Sequence, residues 1–457
     1  MAKEEITLKG IDGQVDELVL TTSGAPIYGN MEDCARLLFP QEGETTPRLR
    51  FKGFDGEWEK KLLSECLEIS VEKNTDNIFG IEDVLSVSDD YGVVNQIEHL
   101  GRSYAGKSVS GYKILRPGQI VYTKSPLRAK PFGIIKENTG KAGIVSVLYA
   151  VYNPKEGIAP EYIHYYFDPA WRLNDYMRPL VNKGAKNTMN ISDETALTGY
   201  IMIPKDIEEQ KRIASFLKRL DTQMKLHQEQ FERLRKLKSA CLDSMFPSAT
   251  NNTPPIRFSG YEGEWINIEF GNMVKECLDR STIEDEDVLL SSSIEGMFLN
   301  SELFTHQRGK SNIGYRKLRK NMLVLSAQNL HLGNANVNLR FEHGLVSPAY
   351  KIYDIFNCSP LFLYHWVKRE DAKKFFLDAT TAGASLCRKN IVWQDLYKQS
   401  ILIPPTEKEQ VHIASFFNSL DAQISAQQQQ LDRLKQMKSA CLRSMFPSSG
   451  GGYFAAD

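Results

Sequence analysis

Residues 204–247 read PKDIEEQKRIASFLKRLDTQMKLHQEQFERLRKLKSACLDSMFP, and residues 404–447 read PPTEKEQVHIASFFNSLDAQISAQQQQLDRLKQMKSACLRSMFP. The second stretch is a copy of the first, and self-similarity of this kind decides the architecture before any local reading does. Each copy predicts one long helix. Asp206 and Glu209, and Thr406 and Glu409, have the spacing of a capping box, and Pro247 and Pro447 stop the run. Between the caps, apolar residues recur by fours and threes: Ile213, Leu217, Leu220, Met224, Phe231 and Leu234 in one copy, Ile413, Phe417, Leu420, Ile424, Leu431 and Leu434 in the other. Such a heptad seam needs a partner helix. The simplest partner is the other copy in the same chain, and pairing between chains is the competitor. His227, Gln427, Lys238 and Lys438 interrupt the seam with polar groups.

Working outward, RFKGFDGEW from Arg50 returns as RFSGYEGEW from Arg257. EDVLSVS at Glu82 returns as EDVLLSSS at Glu286, and GKSVSGYKILR at Gly106 as GKSNIGYRKLR at Gly309. GIVSVLYAVY at Gly143 returns as GLVSPAYKIY at Gly344. The chain is therefore two half-molecules, each a globular block followed by a long helix. Cys34, Phe39, Pro40, Thr46 and Pro47 also precede the first block as Cys241, Phe246, Pro247, Thr253 and Pro254 precede the second. This echo suggests a circular repeat with a pseudo-two-fold, which sets the two long helices antiparallel. The expected divisions are 1–47, an N-terminal segment with a remnant of a helix end; 48–203, the first block; 204–247, the central helix; 248–256, a linker; 257–403, the second block; 404–447, the distal helix; and 448–457, a flexible tail. GQIVYT at Gly118 and NMLVLSA at Asn321 read as buried strands, and the runs after Pro160 and Pro360 as helices opened by proline. The blocks are α+β.

Composition is that of an ordinary globular protein, with a net charge of −1. The N-terminus lacks a signal-peptide pattern and no run is long enough to span a bilayer, so a cytoplasmic location is expected. Seven cysteines without paired spacing indicate neither disulfides nor a zinc site. GRSYAGKS, Gly101–Ser108, fits the P-loop pattern, but VSGYKILRPGQIVY after it reads as loop and strand rather than the required helix. DPAW, Asp168–Trp171, resembles an amino-methyltransferase loop broken at Ala170, with no glycine-rich cofactor loop before it. No catalytic constellation stands out, and no metal site.

Charge patterning is the informative signal. From Arg102 to Lys141 basic residues outnumber acids, and the same holds in the second block after Glu302, with Tyr, Asn and Gln interleaved. Lys and Arg neutralise phosphates, while Arg, Asn and Gln pair with base edges. The acids Glu82, Asp83, Asp89, Asp90 and Glu284–Asp287 lie elsewhere in the sequence. The candidate double-stranded-DNA contacts are Lys107, Tyr112, Lys124 and Arg128 in the first block and Lys310, Tyr315, Arg316 and Gln328 in the second. Lys183, Lys186, Arg388 and Lys389 follow, just upstream of each long helix. The frames repeat while their surroundings diverge, which suggests two different half-sites.

On the duplicated EQxxIA helix starts, the RFxGxxGEW openings and the SACLxSMFP helix ends, the chain resembles the specificity (S) subunit of type I restriction–modification enzymes over nearly its whole length. The resemblance implies two target-recognition domains joined by two long helices packed as an antiparallel coiled coil, with each domain reading half of a split, asymmetric DNA sequence. It implies no catalysis and no cofactor in this chain. It implies docking to two modification subunits that methylate adenine with S-adenosylmethionine. In the full enzyme it implies two restriction subunits that use ATP and Mg. The main rival is a free-standing DNA-binding regulator that dimerises through its helices. An ATP-dependent enzyme using the Gly101 loop and a purely structural coiled-coil adaptor are the others.

Overall fold

The computed structural model describes residues 2–9, 15–22, 45–106, 108–125, 130–183, 189–248, 251–304, 311–381 and 390–446. The chain divides into two compact units, residues 1–227 with 430–457, and residues 228–429. Each is described by itself.

In the first unit, β1 (Ala2–Lys9) and β2 (Val15–Thr22) form an antiparallel hairpin, and β2 pairs with β3 (Leu49–Phe51). The sequence reading assigned nothing to this N-terminal hairpin. The residues Cys34, Phe39 and Pro40 of the expected helix-end remnant lie outside the described residues. After β3, β4 (Glu59–Leu62), β5 (Leu67–Ile69), β6 (Ile120–Thr123), β7 (Ile134–Glu137), β8 (Tyr149–Pro154) and β9 (Tyr200–Ile203) build the block. Its main sheet is antiparallel in the order β7-β6-β8-β5, while β4 pairs with β9 so that the block's two ends close side by side. Helices α1 (Pro160–Phe167) and α2 (Ala170–Met177) follow β8, α1 with proline in its first turn as expected. The long helix α3 (Ile207–Ser244) leaves from β9.

The second unit repeats the plan. Strands β10 (Ile266–Glu269), β11 (Val274–Glu276), β12 (Leu323–Ser326), β13 (Ala335–Val337), β14 (Tyr350–Ile355) and β15 (Ser400–Ile403) give a sheet in the order β11-β14-β12-β13 and a closing pair β10–β15. Helices α4 (Pro360–Trp366) and α5 (Glu370–Asp378) match α1 and α2, and α6 (Glu407–Ser444) matches α3. The repeated glycines Gly143 and Gly344 have a steric cause. A Cβ at Gly143 would lie 2.5 Å from the Asp83 carbonyl oxygen, and one at Gly344 would fall onto Leu290.

Each unit contains an antiparallel stretch of the two long helices. In the first, Lys438 on α6 pairs with Asp221 on α3 at 2.7 Å, and Phe446 lies beyond it towards the start of α3. In the second, Lys238 on α3 pairs with Asp421 on α6, and Phe246 packs 6.0 Å from Phe417. The seam residues Ile213, Leu217, Leu220, Ile413, Phe417, Leu420, Leu431 and Leu434 are buried, and Met224, Phe231 and Ile424 half-buried. The interrupting lysines are matched ion pairs across the seam. Opposed charges at such positions favour one register.

Each helix end is plugged into the block of its own unit. Phe446 meets Tyr162, Tyr166 and Trp58 at 5.4, 5.7 and 6.4 Å, and the Arg172 guanidinium lies 4.8 Å over its ring. Phe246 meets Phe362 and Trp265 at 5.4 and 5.8 Å under Arg369 at 4.5 Å. The SMFP repeat is thus the repeat of a plug.

The expected capping boxes are not what Glu209 and Glu409 make. Asp206 and Thr406 do cap, accepting from the amides of Glu208 (2.8 Å) and Glu409 (3.4 Å). The Glu209 carboxylate instead takes a fork from Arg50 at 2.7 and 2.8 Å and the Trp58 indole N–H at 3.3 Å. Glu409 takes the same fork from Arg257 at 2.6 and 2.8 Å. Gln210 accepts from the Ala159 amide and donates to the Pro204 carbonyl, both at 2.9 Å, as Gln410 does with Ser359 and Pro404. The EQ and RFxGxxGEW motifs are two sides of one joint, repeated.

Candidate nucleic-acid interface

In the first block three elements converge on Asp193. Lys113, on the strand Lys113–Leu115, pairs with it at 2.6 Å, and Lys124, just after β6, pairs with its other oxygen. Burial alone would raise the Asp193 carboxyl, but the two lysines outweigh it and hold it below the usual range. Asp193 follows a short antiparallel pair, Asn182–Lys183 with Met189–Asn190. Lys183 stands on that pair. The second block has an equivalent cluster on Glu276, which takes Arg316 at 3.3 Å and Lys351 at 2.8 Å. Lys351 also lies 4.3 Å over Trp393, which follows the antiparallel Thr380–Ile391 bridge. Gln328 is exposed on the loop after β12, one position beyond the place Lys124 holds after β6.

The sequence candidates sort as follows. Lys107, Arg128, Lys186, Lys310, Arg388 and Lys389 lie outside the described residues. Tyr112 and Tyr315 are half-buried in matching turns, their carbonyls accepting from the Asn74 and Ser281 amides. Arg316 is buried, and its guanidinium donates to the Cys277 carbonyl at 3.1 Å and to Glu276. The expectation that acids stay apart from the basic ribbons is corrected. Arg116 pairs with Glu72, Lys130 with Asp89, Lys317 with Glu286, Arg319 with Asp354, Lys320 with Glu342 and Arg340 with Glu302. Acids distant in sequence return in space to these cations. Arg102 has no carboxylate partner among the described residues. It lies over the ring of the exposed Tyr104 at 4.6 Å.

The P-loop-like run ends as expected, since a turn and the strand Lys113–Leu115 follow Ser108. The DPAW run has a structural meaning the sequence hid. Asp168 is a half-buried hub, 2.7 Å from Lys136 and 2.9 Å from Lys438, and its carbonyl accepts from Lys130 at 2.8 Å. Burial would raise its carboxyl, but the lysines hold it far below the usual range. His164, 3.4 Å from Lys136, is pushed down to about 3 by burial and then by that neighbouring charge. A histidine buried neutral must be forced to protonate before its folded form tolerates acid. Its contribution to stability is therefore complete above its ordinary value of 6.5 and lost as pH falls from there towards 3. Asp168 adds a second loss below the ordinary carboxylate value of 3.8. Unfolding titrations should show stability of the first unit falling by up to about 1.4 kcal/mol per pH unit below 6.5 from His164 alone. His164→Gln should flatten that slope.

Residues 57–236 match the type I restriction modification DNA specificity domain. That segment, and not the whole chain, is similar to the specificity domain. That segment runs from the tryptophan joint through the Asp193 cluster into α3, so the described end of the first block lies inside it. The resemblance to type I specificity subunits drawn from the repeated motifs is borne out by this match, which supports a DNA-specificity role for that segment. No curated protein matches in sequence. Among solved structures, the type I restriction–modification S subunit from M. genitalium is similar at 13% identity and a TM-score of 0.53, over 88% of this chain and 99% of that one. That likeness supports the fold of two α+β blocks and two long helices. The HsdS subunit from Thermoanaerobacter tengcongensis is 16% identical, over 85% of this chain and 96% of that one, with a TM-score of 0.40. A structure described as the basis of complex assembly and conformational transition of the type I R-M system is 15% identical, over 86% and 98%, with a TM-score of 0.42. Among the described residues, no helix is long and apolar enough to cross a membrane.

Proposed function

We propose that the chain is the DNA-recognition subunit of a type I restriction–modification system. Each block reads one half of a split, asymmetric target in double-stranded DNA, and the chain docks two modification subunits that methylate adenine. The carrying observation is a segment similar to the type I specificity domain whose plan, from arginine–glutamate joint to basic cluster, is built twice on different side chains. The same scaffold with Lys124 and Asp193 in one copy and Gln328, Trp393 and Glu276 in the other suits two different sequences. Chemistry is assigned to the partners, which would bring S-adenosylmethionine and, in a complete enzyme with two restriction subunits, ATP and Mg. The setting is cytoplasmic, where host DNA is the substrate.

The experiment is co-expression with the modification subunit and mapping of methylated adenine in host DNA. Methylation at a split motif that disappears without this chain is the expected result. Methylation unchanged by its removal would instead favour the free-standing regulator.

A further inference from the structure

We propose that Lys73 and Arg280 are equivalent contacts to the phosphate backbone, one in each block; the assignment rests on the DNA-recognition reading above. Lys73 forms an isolated antiparallel bridge with Lys113, and Arg280 forms the same bridge with Arg316. The flanking bonds match as well. The Ile114 and Lys317 amides donate to the Glu72 and Asp279 carbonyls at 3.1 and 3.0 Å, and the Asn74 and Ser281 amides to the Tyr112 and Tyr315 carbonyls at 2.9 and 2.8 Å. Residues paired in this way lie directly opposite, with side chains on one face, and like charges so placed repel. Both blocks therefore hold two cations face to face at the same point of the fold.

Among the described residues only one cation of each pair is neutralised. Lys113 has Asp193 and Arg316 has Glu276. Lys73 and Arg280 are exposed and have no carboxylate partner among the described residues; Arg280 donates only to the Gly314 carbonyl, at 2.8 Å, which fixes its position. Repulsion kept twice at the same place calls for an anion from outside. The two blocks differ in the side chains that suit base reading, so what they keep in common fits what the half-sites have in common, the sugar–phosphate chain. The adjoining clusters on Asp193 and Glu276 belong to the candidate interface, which puts Lys73 and Arg280 beside it.

The test uses the full chain in its assembly with the modification subunit and synthetic duplexes of several unrelated sequences, with affinity followed over a salt series. Lys73→Ala and Arg280→Ala should each weaken binding by the same factor on every duplex. Each should also make the fall of log affinity with log salt shallower by about 0.9. Lys73→Arg should restore both. Both side chains are exposed, so neither substitution threatens folding. Unchanged slopes against a wild type that binds would overturn the assignment, as would a loss confined to one sequence. DNA binding intact but assembly lost would overturn it too, in favour of an acidic protein partner. A wild type without salt-dependent DNA affinity would overturn the DNA-recognition reading itself.

Discussion

Phe446→Ala should destabilise the first unit by roughly 3–5 kcal/mol, the range for deleting a fully buried aromatic ring. The ring is wholly buried among Trp58, Tyr162 and Tyr166. Three further losses accompany the cavity. Arg172 is buried and donates to the Leu442 and Phe446 carbonyls at 3.3 and 3.1 Å, so a shift of the helix end would leave its charge poorly solvated. The cation–π contact with the ring disappears. The seam beyond, from Cys441 to Leu434, loses its anchor to the block. Peptide-resolved hydrogen exchange checks this, with protection lost across 160–177, 207–220 and 434–446. Phe246→Ala should produce the matching loss in the second unit. Equal small effects everywhere would contradict the plug.

The other large effect is expected at the joint. Glu209→Ala leaves Arg50 facing a buried site with no counter-charge, and breaking one side of a buried pair costs roughly 3–5 kcal/mol. The carboxylate is almost fully buried and Arg50 largely so. The arginine keeps only its bonds to the Gly56 and Asp55 carbonyls, at 2.6 and 2.8 Å, and the Trp58 indole loses its acceptor. Glu409→Ala should do the same to the second unit through Arg257. Denaturant titrations of both variants, alone and combined, provide the check. If the glutamates were ordinary capping residues the loss would be about 1 kcal/mol, and Glu→Gln would recover most of it.

Much of this fold was readable because the chain states it twice. Repetition separates residues the scaffold needs from those it can vary, and it marked the long helices, the tryptophan openings and the helix ends. Glu209 shows what repetition cannot supply. Its spacing from Asp206 fits a local cap, and only the folded chain brings Arg50 near enough to win the carboxylate. The basic ribbons misled for a related reason. Lys130 and Lys317 read as free cations because Asp89 and Glu286, their partners, lie 41 and 31 residues away. Asp168 looked like a broken loop motif because its meaning depends on Lys438, 270 residues on. The N-terminal hairpin escaped notice because it has no second copy.

On the proposed function, each block carries its own half of the DNA specificity. The direct measurement is a methylated-adenine map from cells in which residues 48–203 are replaced by a second copy of residues 257–403. The joint permits the exchange, since Arg257 would offer Glu209 the fork that Arg50 offers it now. Lys368 in the transplanted block would meet Lys438, and it already tolerates Lys238, the equivalent charge, with its own pKa drawn down to about 8 by burial and that neighbour. One half of the methylated motif should survive, and the other half should become a copy of it. A motif left unchanged by the replacement would contradict that reading.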